Sequence, residues 1–212
     1  MHETGSDRPD ASATSASAAI DHGAPIDDGA VIALATRLGR ALAAAGRSIA
    51  TVESCTGGLI ACALTETPGS SLWFDRGFVT YSNEAKTELV GVPAATLALH
   101  GAVSEPVARA MAEGALERCA AWLTLSVTGV AGPGGGSPAK PVGTVCFGWA
   151  LRGGASRVLT RRLPGDRAQV RRAAAWIALQ GAWQAAGLPD ASHGGGAPAK
   201  AERAGEERGR AA

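Results

Sequence analysis

The sequence is poor in the residues from which metal sites and disulfide frameworks are built. It has four cysteines and four histidines among 212 residues, and no two cysteines have the two-residue spacing typical of zinc ligands, so reduced thiols are expected. Only His100 lies in a stretch with a regular apolar pattern, which argues against a histidine metal cluster and against a Ser-His-Asp triad. The sequence therefore predicts a protein without a metal site.

The sequence also lacks an excess of charge of one sign, and it lacks long apolar runs. The 20 basic side chains are balanced by 19 acidic ones, which gives a formal net charge of +1, and such a chain has no electrostatic footprint for nucleic acid. No run approaches the roughly 20 apolar residues of a membrane helix, and the N-terminus lacks the basic-then-apolar order of a signal peptide. We expect a cytoplasmic protein with neither nucleic-acid nor membrane partners.

Composition divides the chain into three parts. Residues 1–27 are rich in alanine, serine and aspartate, and residues 189–212 hold a glycine run followed by a charged tail. Neither part can bury enough apolar surface to offset the entropy of ordering, so both are expected to be disordered. Residues 28–188 are long enough to form one domain with a substantial core.

Strand-like and helix-like patterns alternate along residues 28–188. An aspartate at 27 or 28 can cap a first helix, and Ser82 can cap a later one. Strands are expected around Ile49 and at 77–81, 122–127, 144–150 and 156–160, with the last two forming a hairpin across two glycines. This alternation predicts an α/β fold, a single layered domain in which helices flank a mixed β-sheet.

Polar loops follow three of the predicted strands, at 54–58, 81–86 and 128–136. In an open α/β sheet the crevice beyond the carboxyl ends of the strands is the usual ligand site. A serine, a tyrosine and a lysine would meet there. A lysine in an apolar cleft has a lowered pKa and can accept the proton of a serine hydroxyl, while a tyrosine hydroxyl can relay a proton or fix the lysine.

Each of these side chains also has a purely structural interpretation. Ser54 can cap the following helix, Lys86 can be a solvated helix lysine, and Tyr81 can be a strand aromatic. Cys55 is an alternative nucleophile, because thiol pKa values fall at a helix N-terminus, although a lysine base suits a serine better. The glycine run at 134–136 lacks the order of a P-loop and is more typical of a surface turn.

Five short blocks of the sequence carry a resemblance to a known family. They are Val52–Gly58, Gly77–Lys86, Gly101–Ser104, Thr128–Pro133 and Lys140–Thr144. In order and spacing these blocks closely resemble the CinA C-terminal domain family, over about residues 30–186. That family includes nicotinamide mononucleotide amidases of the PncC type, which hydrolyse the carboxamide of this nucleotide to nicotinate mononucleotide and ammonia. The resemblance implies a small-molecule nucleotide substrate, no metal or organic cofactor, and a homodimer.

The resemblance also implies roles for individual residues. Ser54 is the expected nucleophile, Lys86 its general base, and Tyr81 an assisting hydroxyl. Candidates for donating N–H groups to the tetrahedral oxyanion are Thr56, Gly57 and Gly58. Candidates for binding the substrate's phosphate are Thr128, Gly129, Gly132 and Arg167. For Arg167, pairing with Asp166 at the start of a helix is an equal alternative.

A competing function is a non-catalytic module that binds a nucleotide or has a regulatory role in competence or the damage response. Longer CinA proteins join this domain to another catalytic domain, whereas only about 28 residues precede the first helix here, so a stand-alone form is expected. Binding alone would not need a serine paired with a lysine, so Ser54 and Lys86 together favour the enzyme.

Overall fold

The computed structural model describes residues 26–189, so the disorder expected at the two ends concerns residues that lie almost entirely outside the described part. The strands are β1 (Ile49–Glu53), β2 (Phe74–Val79), β3 (Leu123–Gly129), β4 (Thr144–Leu151) and β5 (Arg157–Arg162). The helices are α1 (Asp28–Ala44), α2 (Leu59–Thr65), α3 (Asn83–Val90), α4 (Ala94–His100), α5 (Glu105–Glu117) and α6 (Arg167–Ala185), with a 3₁₀ turn at Ser70–Leu72. No helix in this part of the chain is long and apolar enough to cross a membrane.

The five strands form one mixed sheet in the order β2-β1-β3-β4-β5. Strand β1 is parallel to both β2 and β3, and its last residue, Glu53, is in register with Val79 and Val127. Strands β4 and β5 continue the sheet as an antiparallel hairpin. The predicted α/β class, the mixed sheet and the hairpin are confirmed, and the carboxyl ends of β1, β2 and β3 meet at one edge.

Helices cover both faces of the sheet. Helices α1, α2 and α6 pack on one face, where alternate β3 side chains join the larger apolar core, and α5 lies on the other face with α3 and α4 beside it. Side chains cap the N-termini of α1 and α3, as the sequence predicts. Asp27 accepts the Ala30 N–H at 2.7 Å, and Ser82 accepts the Ala85 N–H at 3.0 Å.

The face of the sheet under α5 is lined by small hydroxyl residues. Thr124 donates to the Ala112 carbonyl at 2.7 Å, and Ser126 donates to the Ala108 carbonyl at 2.6 Å. Gly148 lies beside them in β4, where a Cβ would come within 2.5 Å of the same Ala108 oxygen. Hydroxyls and a glycine therefore let α5 approach the sheet closely.

Candidate active site

A cleft of about 290 Å³ opens at the carboxyl ends of the three parallel strands. This volume is close to the lower end of the range of small-molecule sites, roughly 300–1,000 Å³. The three polar loops of the sequence converge here. The cleft is lined by Ser54, Cys55, Tyr81, Asn83, Lys86, Ala102, Val103, the loop from Thr128 to Gly132, Gly134, Gly135 and Arg167.

Ser54 and Lys86 form a buried pair at the base of the cleft. The Lys86 Nζ lies 3.1 Å from the Ser54 Oγ. Ser54 follows β1 directly, and its N–H donates to the Val127 carbonyl at 2.9 Å, so the sheet itself fixes its backbone. Lys86 is only 1% exposed and Ser54 is 8% exposed. The solvated-lysine interpretation is therefore wrong, because this ammonium group has almost no access to water.

Backbone carbonyls hold the Lys86 amine in place. Its Nζ donates to the carbonyls of Thr80, Tyr81 and Ser82 at 2.9, 3.4 and 3.3 Å. Burial lowers the pKa of Lys86 from its ordinary value of 10.5, with a smaller opposing effect from nearby Cys55 and Glu84. A lysine that loses its proton more readily, within hydrogen-bond distance of a serine hydroxyl, has the geometry of a general base with its nucleophile.

Glu53 is a residue of the site that sequence reasoning missed. Its side chain is fully buried, and its carboxylate accepts the N–H groups of Gly58, Ile60 and Ala61 at 3.0, 3.1 and 2.8 Å. Gly58 is the N-cap residue of α2 and has no side chain with which to cap it. Glu53 supplies the missing acceptor from the preceding strand. The sequence signal available for Glu53 was an acidic residue at the end of a predicted strand, a few residues before a glycine-rich helix start.

This capping contradicts part of the expected oxyanion site. The N–H of Gly58 donates to Glu53, and the N–H of Gly57 donates to the Ser54 carbonyl at 3.0 Å. Both amides are therefore occupied and do not serve as free donors. Within residues 26–189 the N–H of Thr56 has no backbone acceptor, so of the three predicted donors Thr56 alone keeps an available N–H.

The hydroxyl of Tyr81 is not placed as expected. Tyr81 lies beyond the end of β2 and is 61% exposed, and its hydroxyl accepts a hydrogen bond from Arg167 Nη2 at 3.2 Å. That hydroxyl forms no hydrogen bond with Ser54 or Lys86, because it is paired with Arg167 instead. The group of Tyr81 that fixes the lysine is its backbone carbonyl.

Arg167 closes one side of the cleft. Its Nη1 donates to the Gly132 carbonyl at 2.8 Å, so it links the start of α6 to the glycine-rich loop after β3. Pairing with Asp166 is not found: Asp166 instead forms a capping box with Gln169. The guanidinium is therefore held by Tyr81 and Gly132, and its position beside the cleft suits an anionic ligand.

The remaining predicted residues line the same wall. The Thr128 hydroxyl donates to the Ala102 carbonyl at 2.9 Å, which ties the strand end to the loop before α5. A Cβ at Gly129 would lie 2.8 Å from the Thr144 carbonyl oxygen, so the close β4 neighbour explains this glycine. Asn83 also lines the cleft and was not predicted; its position beside the capping serine in the second sequence block was the signal available.

Cys55 is poorly suited to act as the nucleophile. Its side chain is buried and contributes to the larger apolar core. Burial raises the pKa of its thiol to about 12, and the nearby Glu53 carboxylate acts in the same direction. The thiolate is the reactive form of cysteine, so at neutral pH this thiol is essentially protonated and unreactive.

Comparisons with known proteins agree on one family. The sequence profile described as CinA C-terminal domain matches residues 31–185. Over 159 residues the chain is 52% identical to nicotinamide-nucleotide amidohydrolase PncC of Escherichia coli (strain K12), a match that covers 74% of this chain and 95% of that protein. Over 135 residues it is 58% identical to a CinA-like protein of Mycolicibacterium vanbaalenii, which covers 64% of this chain and 32% of the relative. The chain thus spans about a third of the length of that CinA-like protein.

Solved structures show the same fold. The competence/damage inducible protein CihA from Agrobacterium tumefaciens matches with a TM-score of 0.70 and 46% identity, over 73% of this chain and 93% of that one. A CinA superfamily protein from Escherichia coli matches with a TM-score of 0.71 and 34% identity, over 79% and 98% of the two chains. The arrangement of strands and helices described above is therefore one that experimentally determined relatives share.

Proposed function

This chain belongs to the CinA C-terminal domain family, and from that premise we propose that it is an amidohydrolase that converts nicotinamide mononucleotide and water to nicotinate mononucleotide and ammonia. The observation that carries the proposal is the buried pair of Ser54 Oγ and Lys86 Nζ, 3.1 Å apart at the base of an open cleft. Sequence similarity supports the choice of substrate, because the protein named nicotinamide-nucleotide amidohydrolase PncC is 52% identical to this chain and is covered over 95% of its length.

The first chemical step is attack by Ser54. Neutral Lys86 takes the hydroxyl proton while Oγ forms a bond to the carboxamide carbon, and the carbonyl π electrons move onto oxygen. The proposed donors to this oxyanion are the N–H of Thr56, which has no backbone acceptor among the described residues, and the N–H of its neighbour Cys55. A preorganised donor of this type contributes about 3 kcal/mol to transition-state stabilisation in enzymes where it has been removed.

Collapse of the intermediate releases ammonia. The C–N bond breaks, and the Lys86 ammonium gives its proton to the leaving nitrogen, which leaves an ester on Ser54 and a neutral lysine. Lys86 then takes a proton from water as the water oxygen attacks the ester, and returns it to Oγ when the acid product leaves. The same amine thus serves both half-reactions, and all atoms balance without a metal or a redox group.

Arg167 is the proposed contact for the substrate's phosphate. Its guanidinium has five N–H donors, of which one binds Gly132 and one binds Tyr81, so further donors remain. The N-terminus of α2 is less suited to an anion, because the Glu53 carboxylate already accepts three of its N–H groups. Thr128, Gly129 and Gly132 then form the wall between the phosphate end and the reacting carboxamide, and Tyr81 acts as a substrate contact at the mouth of the cleft.

The proposal also covers the domain organisation, the cellular location and the oligomeric state of the protein. We infer from the family resemblance that residues 28–188 act as one domain, in the cytoplasm and as a homodimer. Sedimentation of the purified chain at micromolar concentration tests the dimer. A single species with the mass of one chain would contradict it.

The experiment is ammonia release from nicotinamide mononucleotide by the wild type, Ser54→Ala and Lys86→Met, with nicotinamide riboside as the matched substrate that lacks the phosphate. Turnover by the wild type alone, with much weaker turnover of the riboside, supports the proposal. Nucleotide binding by calorimetry without any turnover would instead identify the non-catalytic binding or regulatory module.

A further inference from the structure

Two arginines on α6 each hold one of the loops that form the site. Arg167 binds the carbonyl of Gly132 on the glycine-rich loop, and Arg171 Nη2 donates to the Thr56 carbonyl at 2.7 Å. Residues four apart lie on the same face of a helix. One face of α6 therefore connects the wall of the cleft to the turn that carries the nucleophile.

Arg171 occupies an unusual position for a charged side chain. It is half-buried and forms no ion pair within residues 26–189, and its Nε is buried without a hydrogen-bond partner there. Gly57 lies beside the guanidinium, since a Cβ at this position would be in ordinary contact with Arg171 Nη2 at 3.7 Å. Partial burial of a cation against a single neutral carbonyl is unfavourable by itself, so stability alone does not explain this contact.

The turn from Ser54 to Gly57 is held from two sides. Glu53 fixes its downstream end through the N–H groups of α2, and Arg171 fixes its middle through the Thr56 carbonyl. The charge also acts across the turn, because Arg171 lowers the pKa of the neighbouring Cys55 thiol against the dominant effect of burial. The proposed oxyanion donors, the N–H groups of Cys55 and Thr56, belong to this same turn.

We propose that Arg171 is a positioning residue for the amide hydrolysis, which holds the nucleophile turn by its Thr56 carbonyl and places a positive charge behind the oxyanion. This inference rests on the proposed function. Because negative charge on the oxyanion develops only as Ser54 attacks, Arg171 acts mainly on the transition state and little on the bound substrate. Its loss is expected to lower kcat and to leave KM nearly unchanged.

The test compares Arg171→Met and Arg171→Lys with the wild type, and uses Arg172→Met as the matched control. Arg172 is the next residue on α6, but its guanidinium pairs with Asp28 of α1 at 2.7 Å and lies away from the turn. Rates are measured with nicotinamide mononucleotide at a temperature well below the Tm of every variant, so that unfolding does not enter the comparison.

Arg171→Met is expected to lower kcat by about tenfold to a hundredfold with KM within about twofold, somewhat less than the loss of a direct oxyanion donor. Arg171→Lys should recover most of kcat, because it restores the charge, and Arg172→Met should match the wild type. Unchanged kcat in Arg171→Met, a rise in KM alone, or an equal loss in the Lys variant would overturn the inference. An inactive wild type would instead refute the proposed function.

Discussion

Replacing Glu53 with glutamine removes the charge that caps α2 and keeps the size of the side chain. The carboxylate accepts two N–H groups on Oε2, from Gly58 and Ile60, and one on Oε1, from Ala61. A glutamine has only one acceptor oxygen, so its NH₂ group must face a backbone N–H and leave at least one buried donor unsatisfied. An unsatisfied buried donor costs about 1–3 kcal/mol, and the retained bonds lose their charge assistance.

Together these losses give a decrease of about 3 kcal/mol in the free energy of unfolding. For a domain of this size that corresponds to a fall in Tm of about 6–12 °C. The assay is urea unfolding followed by circular dichroism, with Glu66→Gln as the control, because Glu66 is an exposed glutamate at the other end of the same helix. Equal stability of Glu53→Gln and Glu66→Gln would refute the argument that Glu53 caps α2.

Three further predictions concern the site and the core. Because burial lowers the pKa of Lys86 and only the neutral amine accepts a proton, kcat/KM should rise with pH along an acid limb whose midpoint lies below 10.5. Lys86→Met should lose about 10²–10⁴-fold in kcat, and a full rate in that variant would exclude the lysine as base. Cys55→Ala should keep wild-type kcat, and iodoacetamide at pH 8 should label the exposed Cys62 and leave Cys55 unmodified, as peptide mass spectrometry would show. Gly114→Ala should lose about 1–3 kcal/mol of stability by overpacking, because its Cβ would lie 1.8 Å from the Val90 carbonyl oxygen, whereas Gly29→Ala in α1 should show no comparable fall in Tm.

Features fixed by local sequence could be predicted. The caps at Asp27 and Ser82 need only a short polar side chain three residues before the amide that it accepts. The hairpin needs two strand patterns and a glycine turn between them, and the meeting of three loops at one edge follows from a parallel arrangement of the strands they follow. The pairing of Ser54 with Lys86 was expected on these grounds together with the family resemblance.

Features that depend on distant segments could not be predicted. Arg171 meets the Thr56 carbonyl from a helix 115 residues later in the chain, and no local pattern encodes that approach. The partners of Glu53 depend on whether α2 has a cap of its own, which is a property of backbone geometry around Gly58. The position of the Tyr81 hydroxyl was predicted wrongly for a similar reason, since its partner Arg167 lies 86 residues later in the chain.

The most direct test of the central claim is to trap the acyl-enzyme. Wild-type protein is mixed with excess nicotinamide mononucleotide, quenched in acid within milliseconds to seconds, digested, and examined by mass spectrometry. A nicotinate mononucleotide ester is expected on Ser54, and it should form in Cys55→Ala and be absent in Ser54→Ala. Release of ammonia by Ser54→Ala at the wild-type rate, or an adduct on Cys55, would contradict it.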